Sequence, residues 1–491
     1  MQFERVTPES VGISSESILD FIHKAKAACV EMHGLVVLRH GKICAEGWWK
    51  PYAHDEKHIM FSFSKTLTAT AIGFAEQEGI LKLDEKLVDI FPELCPENPS
   101  ENLHKADIWS LLTMSCGHEN EIGAADREGP DWQRAFLHHE FKYAPGTMFQ
   151  YNTSGTNMLA AILLKKTGLS LTEYLQPRLF GPLGMENIRC QVLADGVQRG
   201  GSGFFLSTED MARFAQFYLQ KGVWQGKRLL QESWFDRAGS AQVPTVNPVF
   251  TNHDSNWRHG YGFQTWQCIP AGVYRADGAY GQFGIVIPNK DAVIAINSTS
   301  SYPDDLLNIC WETILAGMSD ERSLPENPAA SSALFQELKH LSLPVDWGIR
   351  CRASETYYDG LRFTANSKIP GLTDLIGGMG LRSEEGGEIR ALSLSFVKDK
   401  AVLTAEQEDC NLTLHIGLNG EPAIQRLNGR TYASSGCWRG TDIFEINVRC
   451  VNFASGTRIR LEIKPNAMLI SRTSTLPNEG ACSSEVFALS R

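Results

Sequence analysis

Ile59-Met60-Phe61-Ser62-Phe63-Ser64-Lys65-Thr66-Leu67-Thr68 is the stretch on which the reading of this chain turns. It carries a Ser-x-x-Lys spacing, Ser62 to Lys65. Thr66 to Glu78 follows, rich in Thr, Ala, Ile and Phe, and Gly79 closes it. That pattern predicts a buried helix with a glycine stop. Positions three apart share a helix face, so the Ser62 hydroxyl and the Lys65 amine come within hydrogen-bond reach. A serine hydroxyl is a weak nucleophile until a base takes its proton. A lysine amine removed from water loses its preference for charge and becomes such a base.

The spacing recurs at Ser395-Phe396-Val397-Lys398, inside the alternating run Leu392 to Val397. Alternation predicts a strand, where residues three apart point to opposite faces. Ser395 and Lys398 are therefore read as structural. Ser62 is kept as the candidate nucleophile because its context is helical.

Working outward, Ser14 or Ser15 caps a helix expected to run to about Met32, with Ile18, Phe21, Ile22 and Ala25 on one face. Gly34 to Arg39 and Ile43 to Trp49 read as a strand pair turned at His40-Gly41-Lys42. From about residue 65 to 220 the pattern is helical, with no convincing sheet: Ile108 to Met114, Trp132 to Lys142 and Ser154 to Lys166 are the segments. Gly200-Gly201-Ser202-Gly203 lacks the Gly-Lys-Ser/Thr of a phosphate loop and is read as close backbone packing before a helix capped near Ser207. Strands return at Tyr261 to Gln267, Val273 to Asp277, Gln282 to Pro288 and Ala292 to Ser298, and a helix over Leu306 to Met318 closes the unit. Leu324 to Ser332 has linker composition. Past about residue 350, short apolar runs separated by Gly, Asn and Asp predict an all-β domain, barrel or sandwich, read as lid or scaffold.

A length of 491 residues exceeds what one core usually serves. The expected division is a first domain over 1–322 with a helical lobe over about 66–220, a linker over 323–345, and a β domain over 346–491. A net charge of −11 with both signs interspersed argues against nucleic acid or an anionic membrane as partner. No apolar run approaches a membrane span. The start, Met1 to Pro8, lacks a signal-peptide pattern, so a cytoplasmic chain or one trimmed of its leader is expected. The twelve cysteines form no Cys-x-x-Cys pair, and Cys29, Cys310 and Cys450 are read as reduced core residues. The thirteen histidines show no ligand spacing, so neither metal nor cofactor is expected.

Hydrolysis by Ser62 needs a proton donor for the leaving group and donors for an oxyanion. Tyr151 follows the turn Pro145-Gly146-Thr147 and precedes a helix, whose positive end is expected to lower its phenol pKa. With Ser62-Phe63-Ser64-Lys65, Tyr151-Asn152-Thr153 and Ala276-Asp277-Gly278-Ala279-Tyr280-Gly281 in that order, the chain resembles the serine β-lactamase and penicillin-binding-protein superfamily, in its class C β-lactamase-like branch. Gly34 to Gly41, Leu81 to Phe91 and Leu111 to Met114 resemble it too, and the likeness spans roughly residues 10 to 320.

The resemblance implies an α+β fold, an antiparallel sheet flanked by helices with an inserted helical lobe, and a site between them. It implies that Ser62 is acylated while Lys65 and Tyr151 share the proton work. It also implies an oxyanion hole from the backbone N–H of Ser62 and of Ala279, just after Gly278. Two positions depart from the pattern. Thr153 stands where an Asn is expected, and Ala276-Asp277-Gly278 carries no Lys or His to hold a substrate carboxylate. Arg275 is near, but strand alternation points it opposite to Ala276.

The departures favour a small ester, amide or peptide substrate without a well-held carboxylate. A β-lactamase or D-alanyl-D-alanine carboxypeptidase is the second reading, and a non-catalytic binding protein on the same fold the third. Trp132, Tyr261 and Trp266 are read as core or pocket lining, and His118 as a cleft edge or a solvated loop residue. Substrate identity, oligomeric state and the choice of Lys65 or Tyr151 as base stay open.

Overall fold

The computed structural model describes residues 3–245, 255–345, 348–377, 387–475 and 485–491. The chain divides into two compact units. The first comprises Met1–Trp48 and Ile59–His340; the second comprises Trp49–His58 and Leu341–Arg491.

In the first unit, Ser14 accepts from the Glu16 N–H and starts α1, Ser15–Ala27. The helix stops short of the expected Met32, because Cys29 takes a left-handed turn at φ +57 and the chain enters a strand at Glu31. Cys29 is accordingly exposed rather than in the core, whereas Cys310 and Cys450 are buried. β1 (Glu31–Arg39) and β2 (Lys42–Trp48) form the hairpin. The turn Phe61–Phe63 leads into α2, Ser64–Gln77. In the lobe that follows, α3 spans Thr153–Thr167 and α4 spans Thr208–Leu219. The lobe also contains a small strand pairing, Arg189–Cys190 with Phe204–Leu206, which the helical pattern did not reveal.

The chain then returns through β3 (Trp266–Gln267), β4 (Tyr274–Gly278), β5 (Gln282–Ile287) and β6 (Ala292–Thr299). The six strands lie in the order β2-β1-β6-β5-β4-β3, antiparallel throughout. β5 and β6 are buried along their whole length. A sheet buried on both faces reads as a continuous apolar run rather than an alternation. α4 covers β1, β5 and β6, while α1 packs against α5 (Pro303–Cys310) and against the helix Pro328–Lys339. That last helix starts inside the segment of linker composition, Leu324 to Ser332. Asn327 caps it through the Ala330 N–H and Pro328 opens it, so residues that suggest a linker here mark a helix start.

In the second unit, ten strands from Arg362–Ala365 to Glu485–Ser490 form one barrel-like sheet among the described residues. The outer strand Asn411–Gly417 meets Arg430–Trp438 in a parallel contact at Gly417 and Ser435. Ser395 lies on the strand Ile389–Val397, and Lys398 sits in the turn after it at φ +52. Within this unit, Glu56 accepts from Asn452 Nδ2 at 2.6 Å and from the Thr431 hydroxyl at 2.9 Å. No helix of the described residues is long and apolar enough to cross a membrane.

Candidate active site

Ser62 does not sit inside α2. It occupies a 3₁₀ turn, Phe61–Phe63, that runs into the helix. The i, i+3 proximity survives because residues three apart eclipse in a 3₁₀ turn. Phe61 is held at φ +45, an unusual backbone for a bulky residue, directly before Ser62. Every residue of α2 from Ser64 to Ala75 is buried. Its polar side chains are satisfied from other segments. Ser64 Oγ accepts from the Phe204 N–H, Thr66 donates to the Gln264 carbonyl at 2.7 Å, and Thr68 donates to the Gly200 carbonyl at 2.8 Å.

Lys65 is 1% exposed. Its Nζ donates to Ser62 Oγ at 3.0 Å, to Thr153 Oγ1 at 3.3 Å and to the Gly201 carbonyl at 2.8 Å. Burial pulls its ammonium pKa from 10.5 down to about 7, against the opposing fields of Glu121 and Asp277. Gly201 reaches this position because it lacks a side chain. A Cβ there would lie 2.6 Å from Thr153 Cγ2. The glycine-rich stretch therefore packs closely, and it also supplies a ligand for Lys65 that sequence reasoning missed.

Tyr151 precedes Asn152, whose side chain caps α3 by accepting from the Gly155 N–H at 2.9 Å. The Tyr151 hydroxyl comes close enough to Ser62 for that side chain to favour its phenolate, and its ring lies 4.8 Å from Lys65 Nζ. The ring stacks on Trp266 at 5.5 Å. The expected lowering of its phenol pKa is not what the site produces. Burial pushes the phenol well above its ordinary value, and the nearby Ser62 side chain offsets only part of that. A partial dipole charge at a helix end is a smaller effect than the loss of solvent around a phenolate.

Thr153 is the first residue of α3 and meets Lys65 directly, an arrangement its place in the motif did not suggest. Gly278 ends β4 against the segment that carries Ser62, where a Cβ would fall 2.2 Å from the Met60 carbonyl oxygen. Ala279 follows it and is exposed. Ala276 faces a small apolar cavity shared with Thr66, Phe214 and Tyr218, and no cation enters it. Arg275 and Asp277 form an ion pair at 2.8 Å on the other side of the strand.

Of the remaining candidates, Trp132 is core, with its Nε1 donating to Asp195 at 2.7 Å. Tyr261 and Trp266 are buried and back the Tyr151 ring. His118 is neither cleft edge nor solvated. It is 1% exposed, packed by Phe136, Phe141 and His139, with Nδ1 3.1 Å from Asn152 Nδ2. Burial, and after it His139, lowers its pKa to about 3, so it accepts the Asn152 amide as a neutral ring. Glu121, also missed, accepts from the Ser154 N–H at 2.9 Å and pairs with Arg127. Among the described residues no group of three or more His, Cys, Asp or Glu is placed to hold a metal ion.

A Ser–Lys–Tyr cluster between an antiparallel sheet and a helical lobe is the architecture of the serine hydrolases related to β-lactamases and penicillin-binding proteins. Residues 27–317 match the beta-lactamase family model, and the chain belongs to that family. It is 24% identical over 311 residues to a 6-aminohexanoate-dimer hydrolase of Paenarthrobacter ureafaciens, covering 58% of this chain and 76% of the relative. It is 25% identical over 305 residues to penicillin-binding protein 4 of Amycolatopsis lactamdurans, covering 54% of this chain and 77% of that one. Among solved structures, a putative 6-aminohexanoate-dimer hydrolase from Bacillus anthracis superposes with a TM-score of 0.50 at 20% identity, over 69% of this chain and 87% of that one. At that identity the likeness speaks for the fold.

Proposed function

We propose that this chain hydrolyses a small ester or amide through a covalent acyl-enzyme on Ser62. The observation that carries the reading is the position of the Ser62 hydroxyl, met by Lys65 Nζ at 3.0 Å and by the Tyr151 hydroxyl. Lys65 is the base. With its pKa brought to about 7, half of it is a free amine near neutral pH, and that amine takes the Ser62 proton as Oγ bonds to the substrate carbonyl carbon. Tyr151 stays protonated at that pH. Its O–H is therefore the donor that passes a proton to the departing alcohol or amine, and Lys65 restores it. Backbone N–H groups of Ser62 and Ala279 hold the oxyanion. Water then attacks the acyl carbon by the reverse proton path and frees Ser62.

The names of two relatives, a 6-aminohexanoate-dimer hydrolase and a penicillin-binding protein, are compatible with amide or peptide chemistry at such a centre. The β-lactam reading is the weaker one here, because Ala276 takes the place of the motif's cation and the neighbouring Asp277 carries the same sign as a substrate carboxylate. A panel of acyl p-nitrophenyl esters, anilides and nitrocefin tests the proposal on wild type and Ser62→Ala. Turnover of esters or anilides that vanishes in Ser62→Ala supports it. Turnover that persists in that variant, or nitrocefin as the one substrate consumed, contradicts it.

A further inference from the structure

The ion pair on β4 has no part in the proton steps above. Arg275 is fully buried and Asp277 is 10% exposed. The guanidinium is fixed from several sides. Nε donates to Asp277 Oδ2 at 2.8 Å, and Nη1 donates to the Asn256 carbonyl at 3.0 Å and to Cys268 Sγ at 3.3 Å. Its central carbon lies 4.8 Å from the centre of the Trp257 ring, and Trp257 comes close enough to Asp277 to favour its carboxylate. The cation is thus the enclosed partner, and the carboxylate is the one that reaches an opening. Asp277 directly precedes Gly278 and Ala279, where β4 touches the nucleophile segment. Its field is felt at Lys65, at Tyr151 and at Tyr261.

Aromatic rings gather at the same place. Tyr151 stacks on Trp266 at 5.5 Å, Tyr261 meets Trp266 edge-on at 4.8 Å, and Phe149 lies 5.2 Å from Tyr261. Phe149, Tyr151 and Trp257 are partly exposed, and Tyr261 and Trp266 stand buried behind them. A carboxylate offers about four lone-pair directions. Arg275 uses one and Trp257 stands near another, which leaves others for a ligand N–H. Aromatic faces beside an anion attract an organic cation by two independent effects, the ring quadrupole and the charge. The same anion repels a substrate carboxylate.

We propose that Asp277, with the rings of Phe149, Tyr151 and Trp257, forms a subsite for an alkylammonium group, so that the centre selects amine-bearing esters or amides. This inference rests on Ser62 being the acylated nucleophile, and its test separates the two. p-Nitroanilides with acyl chains of matched length, ending in ammonium, methyl or carboxylate, are compared at pH 8 and low salt. Wild type is expected to favour ammonium over methyl by about tenfold in kcat/KM, and methyl over carboxylate. In Asp277→Asn the ammonium-to-methyl ratio falls toward one. Because that variant leaves Arg275 buried without its anion and can fail to fold, inhibition of wild type is measured as well. Butylammonium is expected to compete with substrate at lower concentration than butanol or butyrate. A fluorophosphonate adduct on Ser62 together with an ammonium-to-methyl ratio of one, or with butyrate the best inhibitor, overturns the subsite alone. No adduct on Ser62 overturns the catalytic reading on which it stands.

Discussion

Replacing Lys65 by methionine separates the electrostatics of the site from its chemistry. Lys65 is essentially sealed from water, and burial takes its pKa from 10.5 to about 7. At 1.36 kcal/mol per pH unit, that gap is a penalty of about 5 kcal/mol for keeping the charged form inside. The sign follows from proton counts. Below pH 7 folded and unfolded chains both hold the proton, and the penalty acts in full. Between pH 7 and 10.5 the unfolded chain holds it and the folded chain does not, so stability rises with pH. The thioether of the Lys65→Met variant does not titrate. Wild type should therefore gain on Lys65→Met by up to about 1.4 kcal/mol per pH unit across that window, or roughly 2–3 kcal/mol from pH 7.5 to 9.5. The Gly201 carbonyl, left without its donor, adds a pH-independent offset of about 1–3 kcal/mol against the variant. Urea unfolding followed by tryptophan fluorescence at pH 6.5, 7.5, 8.5 and 9.5 measures the difference. A stability gap that is flat across that range would refute the reasoning, because it would mean that Lys65 titrates as it does in water.

The same shift sets a rate profile: kcat/KM should rise with pH around a midpoint of about 7, and His118→Gln should leave that midpoint in place, since His118 is neutral down to about pH 3. A midpoint that disappears in that variant would move the assignment to the histidine. Tyr151→Phe keeps the ring on Trp266 and loses the hydroxyl at Ser62, so kcat/KM should fall by roughly 10²–10⁴ with unfolding midpoints nearly unchanged. Gly201→Ala places a Cβ 2.6 Å from Thr153 Cγ2 and 2.9 Å from the Thr153 carbonyl oxygen. It should cost about 1–3 kcal/mol in urea unfolding and reduce turnover, because the carbonyl that holds Lys65 has to move.

The α2 segment was legible because two strong local signals agree there, a charge-free run rich in Thr, Leu, Ala, Ile and Phe from Thr66 to Ala75 and a glycine at φ +71 after it. The strands on either side were legible for the same reason, although Tyr261 to Gln267 shrank to Trp266–Gln267. What sequence could not supply was contact between distant segments. The Gly201 carbonyl comes to Lys65 from 136 residues away, and Thr153 from 88. No local pattern encodes either meeting. Tyr151 shows a different failure. Its place before a helix was visible, but the burial that decides its acidity is a tertiary property and carries the opposite sign. His118 lay in a segment with no periodicity, so its packing against Phe136 and Phe141 was hidden. Trp49–His58 falls within the domain expected over 1–322, yet it groups with residues 341–491.

The central claim is that one alcohol, Ser62, carries the acyl group. Rapid acid quench of wild type with an activated ester, followed by peptide mass spectrometry, tests it most directly. The account predicts a single acyl adduct, on the peptide containing Ser62, that forms more slowly in Lys65→Met and not at all in Ser62→Ala. An adduct on another residue such as Ser395, or product released with Ser62 never modified, would contradict it.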